Sequence, residues 1–250
     1  MSRLDGKAAL VTGASKGIGR GIAIGLAEAG ATVAVNYPPT EGEAGAREVV
    51  ESIEADGGSA FALGADVSDE SDVRAMIEAF ESAEGAVDVL VNNAGILTQS
   101  ELAEMPVEMW DETMAVDLRG VFLATRFALP GMLEQGSGSV INVASQLGIK
   151  GAEELVHYSA AKGGVIAMTR ALAREVSPEV NVNAIAPGPI ETSLLDDITE
   201  EWRERKEAEL PMDRLGSVSD VVPTAVFLAS EESDYYTGQT LSPDGGDAMH

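Results

Sequence analysis

Three side chains in the second half of this chain have the types and spacing for acid–base work on an alcohol or ketone: Ser145, Tyr158 and Lys162. Tyr158 and Lys162 are four residues apart, so a helix would set both on one face. A free phenol ionises at about pH 10, poorly matched to neutral conditions. A neighbouring ammonium favours the phenolate and brings that value down. Tyr158 would then act as the acid when hydride adds to a ketone, and as the base in the reverse direction. Ser145 lies thirteen residues before Tyr158, just past an apolar stretch, and its hydroxyl is suited to hold and polarise the substrate oxygen. A Tyr-x3-Lys pair alone is common on surface helices, and a single Ser more often makes a turn or a cap. The pattern therefore acquires meaning only from its surroundings.

A second constellation lies near the start of the chain. Thr12-Gly13-Ala14-Ser15-Lys16-Gly17-Ile18-Gly19 follows the apolar run Ala8–Val11 and precedes an apolar helical pattern. Glycines there permit a tight turn and close approach of the backbone to a pyrophosphate, and the helix that follows points its N-terminus at that anion. The spacing is Gly-x3-Gly-x-Gly, which differs from the commoner Gly-x-Gly-x2-Gly dinucleotide fingerprint.

Both constellations need elements to position them. Strand-like runs at Ala8–Val11, Thr32–Asn36, Ala60–Gly64, Val87–Val91, Ser139–Val143, Val180–Ile185 and Gln239–Leu241 alternate with helical patterns. The helical segments are Gly17–Ala29, Glu41–Asp56, Asp69–Ala83, Met109–Glu134, His157–Val176 and Val218–Ala229. This alternation predicts an α/β fold: a Rossmann-like doubly wound parallel sheet of about seven strands, with helices on both faces. No repeat or linker divides the chain, so residues 1–250 read as one dinucleotide-binding domain. Residues 187–211 break the alternation, opening with Pro187-Gly188-Pro189 and continuing as a charged helix over Thr199–Glu209. Insertions after a strand's carboxyl end commonly cover binding sites, and this one reads as a substrate lid.

Several ordered motifs resemble those of the short-chain dehydrogenase/reductase family: Thr12–Gly19, Asn92-Asn93-Ala94-Gly95, Tyr158-Ser159-Ala160-Ala161-Lys162, Pro187-Gly188 and Asp244-Gly245-Gly246. The resemblance covers nearly the whole chain. It implies an NAD(P)-dependent oxidoreductase in which Ser145, Tyr158 and Lys162 are catalytic and Lys162 also bonds the nicotinamide ribose. It implies cofactor contacts at Gly13, Ser15, Lys16, Gly17, Ile18, Gly19, Tyr37, Asp66, Val67, Asn93, Ala94, Gly95, Tyr158, Lys162, Pro187, Gly188, Ile190 and Thr192. It also implies a small-molecule substrate and a homotetramer built through the long helices and the last strand. One position departs. Where the family usually has a fourth catalytic residue, an Asn in a Val-Asn-Leu pattern, this chain has Val116-Asp117-Leu118. Asp117 is either a structural variant or an altered member of the proton relay.

NAD-specific relatives of the fold usually carry an acid after the second strand. Here Tyr37 takes that place, and Lys16 in the glycine-rich turn is suited to meet a 2′-phosphate. The pattern leans to NADP, with NAD still open. The motifs look like those of 3-oxoacyl-thioester reductases and equally of sugar 1-dehydrogenases. A non-catalytic cofactor-binding sensor is the reading from another class, and the intact Ser145, Tyr158 and Lys162 set argues against it. Asp66 alone would read as a turn cap.

Composition excludes other classes. With 16 Lys and Arg against 42 Asp and Glu, the formal charge is −26, which repels nucleic acid and anionic membrane surfaces. The acids are spread along the chain, which points to a host with high internal salt. There is no cysteine, so disulfide and thiolate chemistry are absent, and the two histidines, His157 and His250, form no metal-binding pattern. No apolar run approaches the roughly 20 residues that cross a bilayer, and Ala8–Val11 is too short for a signal-peptide core. A cytoplasmic location is expected.

Overall fold

The computed structural model describes residues 3–192 and 199–249. Seven strands, β1 (Ala8–Val11), β2 (Thr32–Tyr37), β3 (Ser59–Gly64), β4 (Val89–Asn92), β5 (Gly138–Val143), β6 (Val180–Ile185) and β7 (Thr240–Leu241), form one sheet in the order β3-β2-β1-β4-β5-β6-β7. Every pairing is parallel. The chain reverses direction across the sheet between β1 and β4. In open α/β sheets, ligands bind at that switch point, outside the strands' carboxyl ends.

The strands are apolar on both sides because both sides are covered. On one face lie α1 (Gly17–Glu28), α2 (Glu43–Ala55) and α9 (Val218–Ala229), packed on Ala9, Val11, Val33, Val35, Val89, Val91 and Ile141. On the other lie α3 (Glu70–Glu84), α5 (Gly120–Gln135) and α7 (Val156–Val176), packed on the intervening residues Leu10, Ala34, Leu90, Val140 and Val182. Helix α1 approaches α9 with almost no gap: a Cβ on Gly21 would lie 2.1 Å from Val218 Cγ1, and one on Gly25 would lie 2.3 Å from Val222 Cγ1.

Two segments differ from the sequence expectation. The continuous helix expected over Met109–Glu134 is three pieces: α4 (Val107–Met114), a π-helical turn (Ala115–Arg119) and α5. No residue type in Ala115–Arg119 breaks a helix, so the wider turn is set by tertiary contacts. Asp117 is drawn fully inside, and Gly120 sits so close to Val67 that a Cβ there would come 3.1 Å from its carbonyl oxygen. The second difference is a one-turn helix, α6 (Leu147–Lys150), directly after Ser145. Of the expected lid, residues 193–198 lie outside the described residues, while α8 (Glu200–Glu209) forms as expected, capped by the Thr199 hydroxyl accepting from the Trp202 N–H at 3.1 Å. Its cover of a substrate is taken up below. His250 also lies outside the described residues.

Candidate active site

The glycine-rich turn leaves β1 and enters α1. Gly13 and Gly17 have φ of +60° and +58°, which side chains with a Cβ rarely adopt. Gly19 is held by proximity: a Cβ there would lie 2.3 Å from Asn93 Nδ2 and 2.4 Å from the Gly13 carbonyl. The first intrahelical bond runs from the Arg20 N–H to the Lys16 carbonyl at 3.1 Å, so the N–H groups of Gly17, Ile18 and Gly19 point past the helix end. Three such donors at a helix N-terminus, with glycine backbone beside them, fit the pyrophosphate of a dinucleotide.

Asn93, Ala94 and Gly95 join this turn to the acid–base residues. The Asn93 side chain donates to the Thr12 and Gly13 carbonyls at 2.9 and 3.0 Å, and the Asn93 and Ala94 N–H groups both bond the Thr12 hydroxyl. A Cβ on Gly13 would lie 2.7 Å from Ala94 Cα, and one on Gly95 would lie 3.2 Å from Lys162 Nζ. Any side chain at Gly95 would therefore press on Lys162.

Helix α7 carries Tyr158 and Lys162 on one face, as their spacing predicts. Lys162 Nζ stands 5.6 Å from the centroid of the Tyr158 ring. Lys162 is buried; it donates to the Val143 carbonyl at 3.2 Å and pairs with Asp117 Oδ2 at 3.2 Å. Ser145 sits two residues past β5, its Oγ accepting from the Leu147 N–H at 3.1 Å as α6 begins. Burial pushes the half-buried Tyr158 phenol above its ordinary range, and Asp117 adds to this, against the opposing pull of Lys162 and the Ser145 hydroxyl. Burial also works against the charge on Lys162, but Asp117 and Tyr158 together hold the ammonium above its usual value.

The other expected cofactor residues fall around the same edge with differing exposure. Lys16 is exposed at the start of α1. Ser15 is buried beneath the first turn of α2, where a Cβ on Gly45 would meet its carbonyl at 2.7 Å. Tyr37 ends β2 with its ring against Gly64 of β3, and no carboxylate occupies that position. Asp66 closes its own turn, accepting from the Ser68 N–H and hydroxyl at 2.8 and 2.7 Å, and Val67 is buried against Gly120. Pro187 accepts from the Gln146 N–H at 3.1 Å, and Gly188 lies against Asp244, where a Cβ would come 2.6 Å from Cα. The Ile190 side chain is buried in the core, which leaves only its backbone to meet a cofactor. Thr192 borders Gly17: a Cβ on the glycine would lie 3.6 Å from the Thr192 methyl. His157 is fully buried and shares a 2.9 Å hydrogen bond with the Thr98 hydroxyl through Nε2, a packing role beside the site. Among the described residues no cluster suits a metal ion.

A buried polar ladder beneath the site was not anticipated from sequence. Asn92 Nδ2 donates to Thr125 Oγ1 at 3.0 Å and to Asn142 Oδ1 at 2.8 Å, and Asn142 Nδ2 donates to Thr169 Oγ1 at 2.9 Å. It ties neighbouring strands β4 and β5 to α5 and α7, and so fixes the helix carrying Tyr158 against the strand that leads to Ser145. The available signal was an Asn at the same register of two otherwise apolar strands, Asn92 opposite Asn142.

Comparison with known proteins bears on the same arrangement. The family model described as Enoyl-(Acyl carrier protein) reductase matches residues 13–247. A 3-oxoacyl-(acyl-carrier-protein) reductase of Staphylococcus aureus is 44% identical over 96% of this chain and 97% of its own length. That of Thermotoga maritima is 38% identical over 98% of each. The crystal structure of a gluconate 5-dehydrogenase from Burkholderia cenocepacia, in complex with NADP and tartrate, superposes with a TM-score of 0.93 at 35% identity, covering 98% of this chain and 96% of the other. With a glycine-lined helix terminus, a Ser, Tyr and Lys gathered at the switch point, and these relatives along its whole length, this chain belongs to the short-chain dehydrogenase/reductase family as an NAD(P)-dependent oxidoreductase.

Proposed function

We propose that this enzyme reduces a 3-oxoacyl thioester to the 3-hydroxyacyl thioester, with NADPH as the preferred cofactor. The observation that carries the reading is the half-buried Tyr158 phenol set between the Lys162 ammonium and the Ser145 hydroxyl, next to a helix terminus fit for pyrophosphate. The full-length likeness to reductases of that substrate class supports the choice of substrate. The bound nicotinamide supplies the hydride. Ser145 orients the carbonyl oxygen by donating a hydrogen bond to it. Tyr158 gives its proton to the same oxygen as negative charge develops there. Lys162 steadies the resulting phenolate and, as in the family, holds the nicotinamide ribose.

The N–H groups of Gly17, Ile18 and Gly19 hold the pyrophosphate. Tyr37 in place of an acid, together with the exposed Lys16, favours NADPH over NADH. We read the chain as one domain, with the segment 187–211 as the cover over the substrate. The protein is read as a cytoplasmic homotetramer, supported by exposed apolar residues on the long helices, Phe122 and Leu133 of α5 and Val156 of α7, and by Tyr235 near the edge strand β7. A second reading is a sugar or sugar-acid dehydrogenase, favoured by the structural likeness to gluconate 5-dehydrogenase.

The test is absorbance of reduced nicotinamide with a panel of 3-oxoacyl thioesters, sugars and sugar acids at high salt. Tyr158→Phe should abolish turnover, by at least about 100-fold as expected for loss of a general acid, while cofactor still binds. Turnover above a tenth of wild type would place the proton donor elsewhere. Turnover of sugar acids alone would replace the first substrate reading by the second.

A further inference from the structure

Asp117 is fully buried in the π-helical turn. Its Oδ1 accepts from the Ile96 N–H at 2.8 Å. Its Oδ2 has no aligned hydrogen-bond donor and faces Lys162 Nζ at 3.2 Å. Gly95 roofs the pair: a Cβ there would lie 2.9 Å from Oδ2 and 3.2 Å from Nζ. Both side chains of the pair are almost wholly buried, so their charges are screened less than they would be at the surface. Among the described residues, the charged groups facing Tyr158 are Lys162 from its own helix and Asp117 from the π-helical turn, with the Ser145 hydroxyl just past β5.

Counting charge gives the consequence. With Tyr158 neutral, the Asp117 carboxylate and the Lys162 ammonium cancel. Ionising Tyr158 leaves a net negative charge buried in that site. With an uncharged residue at 117, the same ionisation would take the cluster from net positive to neutral. We propose that Asp117 is a positioning residue acting through Lys162: it neutralises the ammonium next to the phenol and so keeps Tyr158 protonated near neutral pH, favouring proton donation in reduction over proton abstraction in oxidation. The proposal rests on Tyr158 being the proton donor. The rise of the phenol above its ordinary range, to which Asp117 contributes after burial, runs in the same direction.

The experiment is the pH profile of kcat for oxidation of a 3-hydroxyacyl thioester with NADP, at constant high salt, for the wild type and Asp117→Asn. The acid limb should move to lower pH by about one unit or more, the size expected when an opposing charge is removed beside a titrating group. NADP affinity should stay within about threefold, because Asp117 contacts the Ile96 N–H and Lys162 and none of the N–H groups proposed to hold the pyrophosphate. The variant should also melt earlier, since Lys162 loses its buried partner. A lower melting temperature with an unmoved profile would mean that Asp117 only holds the fold together, and would overturn the proposal. If Asp117→Asn does not fold, the phenol itself decides. An ultraviolet difference titration of wild type against Tyr158→Phe should show residue 158 ionising above the roughly pH 10 of free tyrosine, and ionisation below it would overturn the proposal. Persistent turnover in Tyr158→Phe would instead defeat the reading of the site, whereas an inactive Tyr158→Phe with an unmoved Asp117→Asn profile would defeat this inference alone.

Discussion

At the scale of single residues, cofactor choice turns on an exposed cation and an acid that is missing. Lys16 is exposed at the start of α1, and β2 ends in Tyr37 rather than a carboxylate. Replacing Lys16 with Ala should weaken NADPH binding by roughly 1.5–3 kcal/mol, the worth of a charge-assisted phosphate contact, and leave NADH binding almost unchanged. Isothermal titration with both cofactors measures the difference, and equal losses would remove the ground for preferring NADP. The residues of the site divide by how local their signal is. Tyr158 and Lys162 could be read together because four residues of helix bring them together whatever the rest of the chain does. The pairing of Asp117 with Lys162 could not, since it depends on how the π-helical turn seats against α7. Burial turns the Val67 and Ile190 side chains toward packing, which leaves their backbones for the expected cofactor contacts. A strand-end position is visible in sequence, but the direction of a side chain after the strand ends is not.

Among the elements, the β1, β6 and α9 boundaries follow the sequence reading to the residue, because apolar runs bounded by Gly, Pro or a capping Ser leave few alternatives. The π-helical turn in the central helix and the short α6 were hidden, one because Ala115–Arg119 holds no Gly or Pro and one by brevity. Helix α6 matters for the mouth of the cleft. Lys150 at its end and Lys206 of α8 both donate to Asp247 Oδ1 at 2.7 Å, so one carboxylate from the C-terminal segment clips the charged helix to the element following Ser145. Burial of Asp247 opposes its charge, but the two lysines overcome this and hold the carboxyl below its ordinary value. A depressed carboxyl stabilises the fold above its unfolded value, about pH 4, and this contribution is lost as pH falls through the lower folded value. Asp247→Asn should therefore loosen α8 at neutral pH by on the order of 1–2 kcal/mol, discounted for the partial exposure of Lys150. Amide exchange should quicken in α8 and not in the sheet, with KM rising more than kcat falls. Unchanged exchange in α8 would mean that the clip carries no weight.

For the whole molecule, the charge of −26 sets the terms. Unscreened self-repulsion opposes both compaction and assembly, and at 1 M salt the screening length falls to about 3 Å. The melting temperature should rise from low to molar KCl, and light scattering should find a tetramer in molar salt. A melting temperature that stays flat or falls, or a monomer in molar salt, would contradict the reading. The packing of α1 against α9 reaches further than stability. The residues proposed to hold the cofactor's pyrophosphate are made within the first twenty of the chain, but the apolar side of their helix, Ile22 and Leu26, shares its core with valines of a helix that begins at residue 218. During synthesis on the ribosome, the glycine-rich turn thus exists long before the surface that seats it. A nascent chain has its signature at birth and its binding site only near the end of translation, and every intermediate length presents an uncovered apolar helix face to whatever meets emerging polypeptides in that cell.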